Sequence, residues 1–257
     1  MKSRVLCASL ALLLVFGVAG CSKEEKPAET PAASAGKTVD VATAGGISGS
    51  VKLDGPAPKP VRIKMDAEPN CAKLHTTPVN SDEVTVGAKG ELADVIVYVK
   101  DGLEGYSFPS PKEPVELDQK GCLYTPHVTA VMVNQPIDVV NSDPTTHNIH
   151  PVPSNNREWN KSQPPNSAKI TEAFAREEIA IPVKCNVHPW MKSYIAVFKT
   201  PYFKVTSKDG TFHISNLPPG TYTLVAWHGL LGTAEQKVTI GAKEEKKDVA
   251  FSLKPAS

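Results

Sequence analysis

The apolar runs of this chain are short, rich in Val, Ile, Thr and Tyr, and interrupted by proline, glycine or Asx residues, a pattern that only strands and turns satisfy. With 23 proline and 17 glycine residues, no segment sustains helical periodicity long enough for a major helix. Expected strands cover Ile47–Leu53, closed by the turn Asp54-Gly55-Pro56, then Asp94–Lys100, Val128–Val133, Ile137–Asn141, Ile179–Val183 and Tyr194–Phe198. Further runs follow at Phe203–Thr206, Thr211–Ile214, Tyr222–Trp227, Gln236–Ile240 and Val249–Leu253. Asp209-Gly210 reads as a hairpin turn between two of them, and the charged stretch 243–247 (KEEKK) as a solvated loop. The expectation is an all-β chain. A net charge of +1, with no basic cluster interleaved with aromatic residues, argues against a nucleic-acid surface.

The N-terminus is an export signal rather than part of the fold. Lys2 and Arg4 precede an apolar run from Val5 to Val18, too short for a membrane span of ~20 residues. Val18-Ala19-Gly20-Cys21 resembles the bacterial lipobox, which implies cleavage after residue 20 and lipid attachment at Cys21. Ser22 after that cysteine resembles an outer-membrane sorting signal, so the folded part is expected in the periplasm. Residues 22–45 are polar, Ala/Pro-rich and aperiodic. As a flexible tether they would hold the folded part roughly 25–30 Å from the membrane.

Cysteine parity then becomes informative. Cys7 leaves with the signal and Cys21 takes the lipid, so Cys71, Cys122 and Cys185 remain in an oxidising compartment. A Cys71–Cys122 disulfide leaves Cys185 single, and would be worth ~3–4 kcal/mol in the chain-entropy estimate. The alternative is a second metal site from Cys71, His75, Cys122 and His127, a Cys2His2 set.

Cys185 opens the segment Cys185-Asn186-Val187-His188-Pro189-Trp190-Met191, a C-x-x-H-x-x-M spacing, and His147 lies about forty residues upstream. Two imidazoles, one thiolate and a weak thioether form the donor set of a mononuclear electron-transfer copper site. Zinc fits poorly, because methionine is not among its usual ligands and no second pair stands nearby. His150 rivals His147. Residues three apart on a strand face opposite ways, so only one of them can join the set.

Residues 137–199 resemble the metal-binding half of a cupredoxin, closest to the amicyanin and plastocyanin kind: H-N-I-H matches the upstream ligand strand and C-N-V-H-P-W-M the compact ligand loop. The resemblance implies one type 1 copper held by His147, Cys185, His188 and Met191, with Asn148 tying the two ligand segments together near the sulfur. Only one cysteine lies on the loop, which excludes a bimetallic centre of the CuA kind. Cys185 is flanked by Lys184 and Asn186, so the Cys-His dipeptide that links type 1 copper to a catalytic copper is missing. No hydrolytic constellation is recognisable, and electron transfer rather than enzymic turnover is expected.

The stretch Phe203–Leu253, with DGTFHISNLPPGTYTLVAWH, resembles the carboxypeptidase regulatory-like (transthyretin-like) sandwich. That family begins with a G-x-V…G-x-P pattern, and the matching segment, Gly49-Ser50-Val51 to Gly55-Pro56, lies far upstream. The hypothesis is therefore a cupredoxin-like Greek-key sandwich inserted into a second, transthyretin-like β-sandwich. The expected divisions are 1–20 signal, 21–45 lipidated tether, 46–104 N-terminal β segment, 105–199 copper domain and 200–257 C-terminal sandwich. Trp227 and His228 read as core and loop residues. The functional expectation is a membrane-anchored carrier of single electrons between redox partner proteins, with Pro189 and Trp190 forming a contact patch beside an exposed His188 edge. A copper carrier or buffer without redox cycling is the alternative, and no small-molecule substrate is evident.

Overall fold

A computed structural model describes residues 36–255. The signal segment 1–20, Cys21 and most of the tether lie outside the described residues. Strands β1 (Gly45–Leu53) and β2 (Ile96–Asp101) flank one short helix, α1 (Pro69–Ala72). Nine strands follow: β3 (Val115–Lys120), β4 (Leu123–Thr125), β5 (Val128–Met132), β6 (Ile137–Asn141), β7 (His147–Pro151), β8 (Lys161–Gln163), β9 (Ile170–Glu172), β10 (Glu178–Lys184) and β11 (Lys192–Phe198). The chain closes with β12 (Phe203–Val205), β13 (Thr211–Leu217), β14 (Gly220–His228), β15 (Gly232–Ile240) and β16 (Glu245–Leu253). The all-β expectation holds.

One sandwich is made from the two ends of the chain. β1 lies between β13, antiparallel, and β16, parallel, while β2 lies between β12 and β14, with β15 beyond. Ile47 and Val51 of β1 share a core with Val97 and Val99 of β2, Leu224 and Ala226 of β14 and Phe251 of β16. Gly49 is demanded by this pairing, since a Cβ there would stand 1.8 Å from the Val249 carbonyl oxygen.

The other sandwich runs from β3 to β11. Its sheets have the orders β4-β3-β6-β9 and β5-β11-β10-β7-β8, with β3 parallel to β6 and β5 parallel to β11. Leu117, Val131, Val139, Ile149, Ile181, Ile195 and Val197 fill the space between them.

β2 and β11 are apolar on both faces because each serves two cores. Val97 and Val99 point into the first sandwich and Ile195 and Val197 into the second. Their alternate residues, Ile96, Tyr98, Tyr194, Ala196 and Phe198, meet in a seam between the sandwiches with Phe203 and Trp227. Phe198 stacks on Phe203 at 4.5 Å and lies 5.1 Å from Tyr98, while Tyr194 meets Trp227 edge-on at 5.2 Å.

Four details differ from expectation. Residues 36–44 are docked rather than tether-like: the Lys37 amide donates to the Gly105 carbonyl (2.7 Å), and Val39 packs on the first core. Residues 106–108 also sit with that sandwich, Phe108 meeting Tyr202 edge-on at 5.3 Å. Asp209-Gly210 joins strands of different sheets and is no hairpin; Asp209 accepts bonds from the Ser207 and Thr211 hydroxyls and the Thr211 amide. KEEKK is half strand, because Glu245–Lys247 open β16 beside β1 with their charged side chains exposed.

Candidate metal centre

The ligand loop is built by the hairpin between β10 and β11. These strands pair antiparallel to Lys184↔Lys192, and the seven residues Cys185–Met191 close the end. The loop folds tightly: the Met191 amide donates to the His188 carbonyl (2.9 Å) and the Cys185 amide to the Met191 carbonyl (3.2 Å). The His188 amide donates to Cys185 Sγ at 3.4 Å, one of several donors aimed at the sulfur. His147 arrives on β7, the neighbour of β10 in the same sheet.

His147, Cys185 and His188 thus converge, their ligating atoms all within 4.8 Å of one another. The two Nδ1 atoms face each other at 2.9 Å, and Cys185 Sγ lies 3.9 Å from His188 Nδ1. Met191 is wholly buried in the same core cluster as Cys185. His150 faces the other way, with Nε2 2.6 Å from Glu158 Oε1 and Nδ1 3.2 Å from Asn186 Oδ1. It stands outside the converging set, as strand alternation requires.

Asn148 bridges the two ligand segments. Its Oδ1 accepts from the Asn186 amide (2.9 Å), and its Nδ2 donates to the Lys161 carbonyl and to Asn160. Sequence reasoning did not single out two residues that support it. Tyr124 donates its hydroxyl proton to the Asn148 carbonyl at 2.5 Å. Asp143 Oδ2 accepts from His147 Nε2 (2.8 Å) and from the Cys122 amide (2.7 Å), while Oδ1 takes the Gly121 amide (2.7 Å). The signal for Asp143 was its place four residues before the candidate ligand, in Asp143-Pro144-Thr145-Thr146-His147.

Electrostatics follow from these bonds. Burial works against the Asp143 charge, yet the His147 bond and the two amide donors outweigh it and hold the carboxyl below its ordinary range. Burial likewise opposes the Cys185 thiolate, but the His147 interaction and surrounding N–H groups lower its pKa overall. Burial resists a charge on His147, and Asp143 and Cys185 together raise it. His188 is lowered, first by burial and then by the neighbouring imidazole.

Cys71 and Cys122 form a disulfide. His75 and His127 do not join it in a metal set: His75 Nε2 donates to the Gly121 carbonyl (2.8 Å) and His127 Nδ1 lies 3.3 Å from Asp82. The exposed imidazole edge expected of His188 is absent, because that residue has no exposed surface. Its Nε2 is covered by Cys71 Sγ at 3.6 Å and Glu68 Oε2 at 3.9 Å, and the Trp190 ring lies 5.1 Å away. Trp190 is pinned by donating Nε1–H to the Cys122 carbonyl (3.1 Å), while Pro189 and Val187 remain exposed.

The residues fit a copper ion. Asp143 takes the Nε2 proton of His147, so its Nδ1 lone pair faces His188 Nδ1 and the lowered Cys185 thiol. Imidazole with thiolate and thioether is a donor set suited to copper in both oxidation states.

Comparison with known proteins adds the following. Residues 177–248 match the family model described as polysaccharide lyase family 4, domain II, a span that crosses from β10 into β16. No curated protein matches. Among solved structures, the chain is similar to a Cu-containing nitrite reductase (NirK) from Thermus scotoductus SA-01, at 18% identity and TM-score 0.32. That match covers 34% of this chain and only 23% of the reductase. A purple cupredoxin from Nitrosopumilus maritimus matches at 18% identity and TM-score 0.28, over 32% of this chain and 98% of its own. A Cu(I) amicyanin carrying a single methionine-to-alanine mutation matches at 19% identity and TM-score 0.29, over 33% of this chain and 81% of its own.

Proposed function

We propose that this chain is a lipid-anchored type 1 copper protein, passing single electrons on the exported side of a membrane. The observation that carries the reading is the convergence of His147 Nδ1, His188 Nδ1 and Cys185 Sγ at the closed end of the β10–β11 hairpin, with Met191 buried beside them. Copper bound there would supply a one-electron couple. The protein's own residues do the rest. Asp143 fixes the tautomer of His147, Asn148 locks β7 to the loop, and complete burial of the imidazoles keeps water out.

In this reading the copper unit is a cupredoxin-like sandwich inserted in a transthyretin-like host, attached to the membrane through Cys21. Redox partners, membrane-bound or periplasmic, meet the ligand loop through Val187, Pro189 and the partly exposed Trp190. A net charge of +1 implies partner association with modest salt dependence. A copper carrier fits less well, because transfer of the ion between proteins needs ligands that a partner can reach, and these four are buried.

The test is the absorption spectrum of the copper-loaded chain beside its Cys185→Ser variant. An intense visible thiolate-to-copper band, lost in the variant, is expected. A colourless protein, or one that takes zinc in preference, would sink the reading.

A further inference from the structure

The segment from Val61 to Ser81 leaves the first sandwich and crosses over the metal centre. Its two ends are held to each other by the Ile63 amide on the Val79 carbonyl (2.9 Å) and the Ser81 amide on the Val61 carbonyl (2.7 Å). Between them, Ile63, Met65 and Cys71 are buried in the second core, while most other residues face solvent. The covalent fastening of this strap is the Cys71–Cys122 disulfide, which sits over both imidazoles. Cys71 Sγ lies against His188 Nε2, and Cys122 Sγ lies within 4.8 Å of the Asp143 carboxylate and His147.

A bound metal therefore has no open route. His147, His188 and Met191 have no exposed surface, Cys185 is 3% exposed, and the two imidazole edges that point away from the ligand set are both closed, that of His147 by Asp143 and that of His188 by the covalently fastened strap. We propose that the strap is a cover fastened after metal entry: the ion enters while Cys71 and Cys122 are thiols, and their oxidation closes the site over it. This rests on the reading of the four residues as a metal centre. In the closing step the two thiols lose two protons and two electrons and form one S–S bond. A protein or small-molecule disulfide accepts the electrons and becomes two thiols. The pairing also removes the two thiols that would otherwise compete with Cys185 beside the imidazoles.

The test compares three forms of the metal-free full chain: disulfide-bonded, reduced with the reductant then removed anaerobically, and Cys71→Ser/Cys122→Ser. Circular dichroism confirms that each is folded. The rate of His188 carbethoxylation by diethylpyrocarbonate, read by peptide mass spectrometry, reports the cover without any metal. The rate of Co(II) uptake, read by its thiolate absorption, reports entry. Both rates should rise roughly tenfold or more when the disulfide is absent, the factor expected for losing a modest local closing energy. Equal rates in the disulfide and reduced wild-type forms overturn the proposal, even if the double variant fails to fold. Faster carbethoxylation without faster Co(II) uptake overturns it too, since metal would then enter by another path. The copper spectrum of the disulfide-bonded chain tests the electron-transfer reading separately.

Discussion

Asp143 Oδ2 accepts the proton of His147 Nε2 at 2.8 Å, and this bond decides which imidazole nitrogen is left to ligate. An amide in place of the carboxylate cannot accept from the two backbone amides and the imidazole together. Asp143→Asn is thus expected to weaken metal binding about ten- to a hundredfold, the range seen when the outer partner of a ligating histidine is lost. Competition against a chelator of known affinity measures it, and unchanged affinity would show that the tautomer is held by other means.

Gly49 lies where β1 presses against β16. The Cβ of Gly49→Ala would stand 1.8 Å from the Val249 carbonyl, so the strands must separate. A loss of about 3 kcal/mol is expected, at the upper end of overpacking costs, read from the urea midpoint. The β3–β11 sandwich does not contain this contact, so metal affinity at the His147–Cys185–His188 cluster should be unchanged.

The seam couples the two sandwiches through Phe198, 2% exposed and packed on Phe203 and Tyr98. Phe198→Ala should cost about 3–5 kcal/mol. Calorimetry should then resolve one thermal transition into two, as the sandwiches unfold independently. A single transition merely shifted downward would show that the seam does not couple them.

At one side of the seam, two buried histidines pull stability in opposite directions with pH. His228 is held down to about 4, first by burial and then by the charge of His127, and its Nδ1 accepts from the Leu230 amide (3.2 Å). A histidine kept neutral in the fold and protonated when unfolded costs stability as pH falls below the ordinary imidazole value, until about 4. Between about pH 7.5 and 5 this amounts to roughly 2 kcal/mol. For His127, burial opposes the charge, but Asp82, with help from Asp94 and Glu83, raises it overall. Its contribution is fully present below the ordinary imidazole value and is lost as pH rises through the raised one. His228→Gln should therefore remove the acid-side loss and leave stability rising as pH falls from 7.5 to 6, as measured by urea denaturation at each pH. Persistence of the acid-side loss would assign it elsewhere.

The loop was legible because its candidate ligands are compressed into seven residues: Cys185, His188 and Met191 announce a donor set by type and spacing, and the fold brings Cys185 and His188 together with Met191 buried in the same cluster. His147 and His150 were harder to separate, since alternation says that only one can join the set but not which face is inward. That choice is made by Asp143, whose signal was only its spacing before His147, and by the pairing of β7 with β10, which has no local signature. The Cys71–Cys122 bond was legible from cysteine parity, but its place over His188 was not. The strap is aperiodic, and a single covalent bond to a residue 51 positions away sets its place. Strands β3, β4, β8 and β9 escaped notice likewise: β4, β8 and β9 are three residues each, and β3 is mostly polar. By contrast, the double-sided apolar character of β2 and β11 was visible in sequence, but its cause, the seam, is tertiary.

The pairing of β1 with β16 also imposes an order in time. Gly49 finds its partner Val249 two hundred residues later, while every strand of the β3–β11 sandwich is available once Phe198 has been delivered. Contacts so distant are slow to form, and chains emerge from their N-terminus. During synthesis, the β3–β11 sandwich can mature while its host is still an open half-sheet. The last strand to be delivered pairs with the first, so a chain truncated before residue 245 would carry a finished β3–β11 sandwich on an unfinished frame.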